Sequence, residues 1–142
     1  MKKGFTILEF LVILGILAVL SVVFVFLLNP VERLREVRDR QRMADLGELK
    51  KAVALYIASA AKPDLDSRGD CSETYASISG TTAIDGSGWL PVNFNEIPGG
   101  STLKILPIDP INDEMHFYSY SCDERDLTFE LDARMESKKY KQ

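Results

Sequence analysis

The amino-acid sequence predicts an α+β protein in which a long N-terminal helix carries a small C-terminal head with an antiparallel β-hairpin or sheet. Residues 5–28 are almost all apolar. Residues 31–61 are rich in helix-forming residues and have no proline. Toward the C-terminus, apolar and polar residues alternate on either side of a turn, a pattern typical of a β-hairpin. These three observations predict the fold class.

The overall composition hides a very uneven chain. It has 142 residues, 46% of them hydrophobic, with 17 Lys and Arg against 21 Asp and Glu. This length suits one domain, and the net charge of −4 disfavours a basic nucleic-acid binder. No glycine-rich phosphate loop, nucleophile elbow or metal-spaced Cys/His cluster occurs in the sequence. We therefore expect neither an enzyme nor a bound cofactor.

The apolar segment 5–28 is long enough to cross a membrane. Its 24 residues would form a helix of about 36 Å, against a hydrocarbon core of roughly 30 Å. A cleaved signal peptide is the alternative, since Lys2 and Lys3 precede the segment. The length of the run, the lack of a small-x-small cleavage site and the helical pattern beyond it favour a membrane span.

Glu9 is the one ionisable residue of this segment. A carboxylate within a bilayer is unfavourable unless it is paired, so it indicates a functional role. The alternative is that Glu9 lies near enough to the end of the span to reach the lipid headgroups.

The sequence KGFTILE at residues 3–9, followed by the apolar residues 10–18, resembles the N-terminus of type IV pilins and type II secretion pseudopilins. The resemblance implies that prepilin peptidase cleaves between Gly4 and Phe5 and methylates the new amine of Phe5. It also implies that this amine pairs with Glu9 of a neighbouring subunit within the membrane, which removes the penalty of an isolated charge.

The same resemblance implies partners and a location. The expected partners are copies of the chain in a helical filament, the prepilin peptidase, a membrane assembly platform and, before assembly, the bilayer. The precursor would lie in the cytoplasmic membrane with its N-terminus in the cytoplasm.

The positive-inside rule predicts the opposite orientation, because two lysines precede the span and five arginines follow it between residues 33 and 42. We give the resemblance more weight.

The pair Asn29-Pro30 interrupts the helical pattern, since proline lacks an N–H and disfavours helical geometry in the residue before it. In the resembling family, a glycine and a proline bracket a stretch that extends in the fibre. Gly15 and Pro30 would bracket it here; an ordinary kink is the alternative.

The second half of the helix, residues 29–61, is expected to present one apolar face to the head. Residues 32–51 contain seven basic and five acidic side chains, interpreted either as a solvated surface or as ion pairs between subunits. A continuous helix over residues 5–61 would be about 85 Å long. The apolar face consists of Leu46, Leu49, Val53, Tyr56, Ile57 and Ala60.

The head, residues 62–142, has eight basic and fifteen acidic residues, so we predict no specific nucleic-acid partner. Residues 64–88 are expected to form an irregular loop. Residues 89–92 and 103–106 are expected to be short apolar segments that anchor the head against the helix. Residues 116–122 and 127–135 are expected to form the hairpin around a turn at 123–126.

Cys71 and Cys122 are the two cysteines. In a domain outside the cytoplasm an even pair favours a disulfide, which would stabilise the head by roughly 4 kcal/mol in the chain-entropy model. Two free thiols are the alternative.

Four segments of the head look like the heads of minimal bacterial pilins and G-type pseudopilins: GWLPVNF at 88–94, GGS at 99–101, LPIDP at 106–110 and FYSY at 117–120. Some of those pseudopilins bind calcium in this region, so the short acidic turns of the head are candidate calcium sites. No EF-hand spacing is present, and such turns are usually only solvated, so calcium is the weaker interpretation. His116 has no metal-ligating partner at a suitable spacing. The oxygen-bearing candidates are Asp109, Asn112, Asp113, Glu114, Asp123, Glu124 and Asp126.

We therefore predict a structural subunit of a type IV pilus-like extracellular filament. Its parts are a leader (1–4), a membrane-spanning polymerisation helix (5–28), an amphipathic helix (29–61) and a pilin head (62–142). A pseudopilin of a short secretion pseudopilus is the alternative within this family. A monomeric, single-pass membrane-anchored binding module is the alternative from another class.

Overall fold

The chain forms two long helices followed by a head built on a small sheet. The computed structural model describes residues 6–141. Helix α1 spans Ile7–Leu28 and helix α2 spans Pro30–Ser59. Strands β1 (Tyr75–Ala76), β2 (Tyr118–Asp123) and β3 (Thr128–Ala133) form one antiparallel sheet in that order. The α+β class and the C-terminal hairpin are confirmed.

The break between the two helices falls at Asn29. This residue has left-handed backbone angles, φ 39° and ψ 65°, a conformation that asparagine tolerates better than most residues. Pro30 then occupies the first position of α2, where a missing N–H is harmless. The single continuous helix that the sequence allowed is thus divided in two, while Gly15 lies inside α1 without interrupting it.

Helix α2 supplies one wall of the hydrophobic core. Leu49, Val53 and Tyr56 are buried, as the three-and-four spacing predicts. Leu46, Ile57 and Ala60 pack against the same core and are partly buried. The predicted apolar face of α2 is therefore confirmed.

The loop between β1 and β2 supplies most of the opposite wall. Trp89 and Leu106 are buried, and the indole Nε1 of Trp89 donates a hydrogen bond of 3.0 Å to the carbonyl of Pro107. Ile105 is exposed, although it lies in a segment predicted to anchor the loop. The remaining buried apolar side chains of this loop are Leu90, Val92, Phe94, Ile97 and Leu103.

Two chain segments meet closely at Gly88. A Cβ at this position would lie 2.1 Å from the carbonyl oxygen of Ala83 and 2.5 Å from a methyl of Leu106. The first neighbour is backbone and cannot move aside cheaply, so the loop needs a glycine here to close over the core.

The hairpin has one apolar face, as predicted. Tyr118 and Tyr120 of β2 point into the core and are fully buried, and Tyr120 pairs with Leu131 of β3. The hydroxyl of Tyr120 donates to the carbonyl of Leu65 at 2.9 Å, which satisfies its polar end inside the core. Its other neighbour is Tyr75 of β1.

Strand β1 lies within the segment that the sequence predicts to be irregular. It is two residues long and follows a loop organised by Asp66, whose carboxylate accepts hydrogen bonds from the backbone N–H groups of Arg68, Gly69 and Cys71. The disulfide between Cys71 and Cys122 then fixes this loop to β2. The predicted cysteine pairing is present.

Removal of the disulfide is expected to destabilise the head strongly. The cross-link closes a loop with a sequence separation of 51 residues, for which the chain-entropy model gives about 4 kcal/mol. The double variant Cys71→Ala/Cys122→Ala should lose this amount in denaturant unfolding of the full chain in detergent. The wild type with reductant serves as the control and should unfold at a similar midpoint. Equal midpoints for the variant and the oxidised wild type would contradict this account.

Candidate functional site

The described side chains of helix α1, those of Ile7–Phe24, are almost all apolar and are not covered by the rest of the described chain. None of the residues in Ile7–Phe24 is buried. Large side chains on different sides of the helix are more than half exposed, including Phe10 (54%), Val19 (65%) and Phe24 (66%). By length and composition this is a helix able to cross a membrane. Lipid or other protein can cover such a surface.

Glu9 lies in the first turn of α1, where its backbone N–H donates to the hydroxyl of Thr6 at 3.3 Å. A carboxylate in the first turn is favoured by the helix dipole. The side chain of Glu9 is also exposed, so it is accessible to another molecule. The predicted cleavage and methylation positions, Gly4 and Phe5, lie outside the described residues.

A second constellation joins the head to α2, and we call it the Arg42 cluster: Arg38, Asp39, Arg42, Asp109 and Glu136. The guanidinium of Arg42 donates to both carboxylate oxygens of Asp109, at 2.6 and 2.9 Å. Its Nη1 also lies 2.7 Å from Asp39 and 2.7 Å from Glu136. Arg42 and Asp39 are completely buried and Asp109 is 2% exposed.

Arg38 and Asp39 attach the chain that follows β3. Arg38 donates to both oxygens of Glu136, at 2.8 and 2.6 Å. The carboxylate of Asp39 accepts from the backbone N–H groups of Glu136 and Ser137, at 2.9 and 2.7 Å. The cluster therefore binds α2, the loop at Asp109 and the segment after β3 into one unit.

The cluster shifts the pKa values of its carboxyl groups downward. Hydrogen bonds from Arg38, followed by those from Arg42, lower the pKa of Glu136 to about 2, although burial opposes this. Burial disfavours the charged form of Asp109, but hydrogen bonds and charge from Arg42 outweigh it and leave its pKa below the ordinary value. The pKa of Asp39 is lowered in the same way: burial opposes ionisation, and hydrogen bonds from Ser137, Glu136 and Arg42 prevail. All three groups are thus held as carboxylates.

The Arg42 cluster revises the interpretation of the charged part of α2. The sequence suggested a solvated surface or ion pairs between subunits, whereas Asp39 and Arg42 are buried and paired within one chain. Helical spacing was the available indication: Leu46 and Leu49 follow Arg42 by four and seven residues, which places all three on the same face. The acidic partners, at Asp109 and Glu136, are too distant in sequence for such an argument.

Several of the acidic residues considered for calcium have hydrogen-bond partners within the protein. Asp109 is engaged by Arg42. The carboxylate of Asp113 accepts from the backbone N–H groups of Met115 and His116, and lies 3.2 Å from the imidazole Nδ1 of His116. These contacts organise the two loops around Asp109 and Asp113.

The turn between β2 and β3 is organised in the same way. Asp123 accepts hydrogen bonds from the backbone N–H groups of Arg125 and Asp126. Asp66 and Glu124 come together beside the sulfur of Cys71, but that sulfur is bonded in the disulfide and does not bind metal as a thiolate.

Comparison of the chain with protein-family models, with curated proteins and with solved structures finds no match.

Replacement of Arg42 by methionine should lower the free energy of unfolding of the head. It should also reverse the direction in which this free energy changes as the pH is lowered from 7. The change leaves the carboxylates of Asp39 and Asp109 buried without a cation, which typically costs about 3–5 kcal/mol. In the wild type, lowered pKa values contribute stability that is complete above the ordinary carboxyl pKa and is lost as the pH falls toward about 2, the pKa of Glu136.

In Arg42→Met, burial would raise the pKa values of these carboxyl groups, so stability should increase as the pH is lowered from 7 to about 5. Denaturant unfolding of the full chain in detergent at several pH values measures how the free energy of unfolding changes with pH in the wild type and in Arg42→Met. Arg40→Met, in which an exposed arginine beside Glu36 is removed, should change stability by about 1 kcal/mol or less. If the free energy of unfolding of Arg42→Met changed with pH as that of the wild type does, the assigned role of Arg42 would be contradicted.

Proposed function

We propose that this chain is the structural subunit of a type IV pilus-like filament, assembled through its N-terminal helix. The observation that carries the proposal is the exposed apolar surface of α1 together with Glu9 in its first turn. The head leaves the 18 residues Ile7–Phe24 of this helix uncovered. Copies of the same helix, packed side by side, would cover it on all sides.

Processing would make Glu9 the assembly contact. Cleavage after Gly4 would create a cationic amine at Phe5, and this amine would pair with the carboxylate of Glu9 in an adjacent subunit. In a medium of low dielectric constant, such a pair relieves the penalty of two separate buried charges. The uncleaved precursor has its amine four residues further away, so it would not form the pair in the same register.

The structure of the head supports this proposal in two ways. The Arg42 cluster fixes the head to α2 by buried, bidentate ion pairs, so a pull on the helix would move the head with it. The disulfide between Cys71 and Cys122 is typical of an oxidising compartment, which favours a head outside the cytoplasm.

The cluster also bears on the excess of arginines beyond the membrane span. Arg38 and Arg42 form ion pairs with carboxylates of the folded head. Their position just after the span is therefore explained by the fold of the head. This weakens the objection that the positive-inside rule raises to an external head.

Substitution of Glu9 by leucine should leave a membrane-inserted, correctly folded subunit that forms no normal filaments, because the cation at Phe5 then lacks its partner. Electron microscopy of sheared surface material, with immunoblots of the membrane fraction, measures both properties. Ser21→Ala is the matched control: Ser21 donates only to the carbonyl of Leu17 in its own helix, and filament yield should be unchanged. Wild-type filament yield from Glu9→Leu would refute the assigned contact.

The mature N-terminus separates the proposed function from a monomeric membrane anchor. Intact-mass and N-terminal fragment spectra of the native protein should show a chain that begins at N-methylated Phe5. A chain that retains Met1 and yields no filament would instead support the anchored binding module. Filament length in sheared material would separate a long pilus from a short secretion pseudopilus.

A further inference from the structure

A basic groove lies at the base of the head, beside the N-terminal part of α2. It has a volume of about 240 Å³, and Arg35, His116, Arg134 and Lys141 contribute its polar walls. Arg35 lies in the second turn of α2, and the other three belong to the head. The groove also includes Met115, Met135 and Glu136.

The groove has more basic than acidic side chains, and within residues 6–141 neither Arg134 nor Lys141 forms an ion pair. Glu136 is already bound by Arg38 and Arg42, so it is not free to pair with the cations of the groove. Arg35 makes one long contact, 3.4 Å from Nη1 to Glu32, and its side chain is 43% exposed. Three basic side chains, Arg35, Arg134 and Lys141, therefore line one opening.

This local charge is opposite to that of the head as a whole. Of the eight basic residues in the head, four lie within residues 134–141, together with a single acidic residue, Glu136. The backbone N–H of Lys138 donates to Glu32 in the first turn of α2, which fixes this basic segment against the base of the helix. The rest of the head accounts for its acidity.

The groove lies within reach of the headgroup layer of a bilayer. Arg35 follows Leu28, the last residue of α1, by seven residues, with the break at Asn29 between them. The helical rise from Pro30 to Arg35 is about 7.5 Å and the two residues before it span at most about 7 Å, so Arg35 lies within about 15 Å of the end of α1. Lipid headgroups extend roughly 5–7 Å beyond the hydrocarbon core on each side. Long arginine and lysine side chains easily span the remaining distance.

We propose that this groove binds the phosphate group of an anionic phospholipid in the leaflet adjoining the head. The inference rests on the membrane span of the proposed function but not on filament assembly. Arginine forks match phosphate oxygens in geometry and charge. Met115, which is 55% exposed, gives the groove an apolar side toward the lipid backbone. A bound lipid would hold the base of the head against the membrane before assembly.

The full chain in a non-ionic detergent micelle provides a direct test by native mass spectrometry. Separate titrations with phosphatidylglycerol, phosphatidylcholine and inorganic phosphate distinguish an anionic lipid from a zwitterionic lipid and from soluble phosphate. We expect phosphatidylglycerol to bind at least tenfold more tightly than phosphatidylcholine, because each lysine or arginine near an anionic surface contributes roughly fivefold. Inorganic phosphate at the same concentration should not compete.

The triple variant Arg35→Gln/Arg134→Gln/Lys141→Gln should lose the tenfold preference. The matched control Lys51→Gln/Lys62→Gln/Arg125→Gln removes the same charge from exposed positions outside the groove and should retain it. Near-ultraviolet circular dichroism at the buried Trp89 checks that each variant is folded. If the triple variant does not fold, the single variants Arg134→Gln and Lys141→Gln should each weaken binding several-fold.

Three results would overturn the inference: an unchanged preference in the folded groove variants, an equal loss in the control variant, or competition by inorganic phosphate at equal concentration. Because the measurement uses detergent-solubilised monomers, it is independent of filament formation. Loss of the lipid preference without loss of filaments would concern the lipid site alone, and wild-type filament yield from Glu9→Leu would refute the proposed assembly contact while leaving the lipid site intact.

Discussion

The apolar side chains of Ile7–Phe24 in α1 are unfavourable in water, and the head does not cover them. This constraint separates the described chain into an exposed apolar helix and a head that folds around the second helix. It also gives Glu9 its importance, since a charged group on such a surface requires a partner or a headgroup. In our account, lipid covers the helix first and neighbouring subunits cover it afterwards.

A subunit that is moved by its helix needs a firm connection between helix and head. The Arg42 cluster supplies it, because one buried guanidinium contacts three carboxylates from separate parts of the chain. The hydroxyl of Tyr118 adds a hydrogen bond of 2.7 Å to Asp45 on the same helix. Burial and the nearby carboxylate raise the pKa of Tyr118, so this tyrosine stays protonated and remains a donor. The connection is therefore made largely by polar groups at the base and by apolar groups further along α2.

Much of this architecture follows from local patterns in the sequence. Asn29-Pro30 predicts the break, the spacing of Leu49 and Val53 predicts the buried face, and alternation predicts the hairpin. Strand β1 is too short to have a pattern of its own and exists through its pairing with β2. The partners Asp109 and Glu136 of Arg42 could not be predicted from local patterns either, because they lie 67 and 94 positions away in sequence. Contacts of that range depend on the finished fold.

The central claim is that α1 is completed by copies of itself, with Glu9 as the contact. Electron cryomicroscopy of filaments sheared from cells tests it most directly. Our account predicts that α1 lies along the filament axis, surrounded by other copies, with the amine of Phe5 within about 4 Å of a Glu9 carboxylate in an adjacent subunit. A filament in which α1 is peripheral, or in which Glu9 lies far from every subunit's amine, would contradict the account.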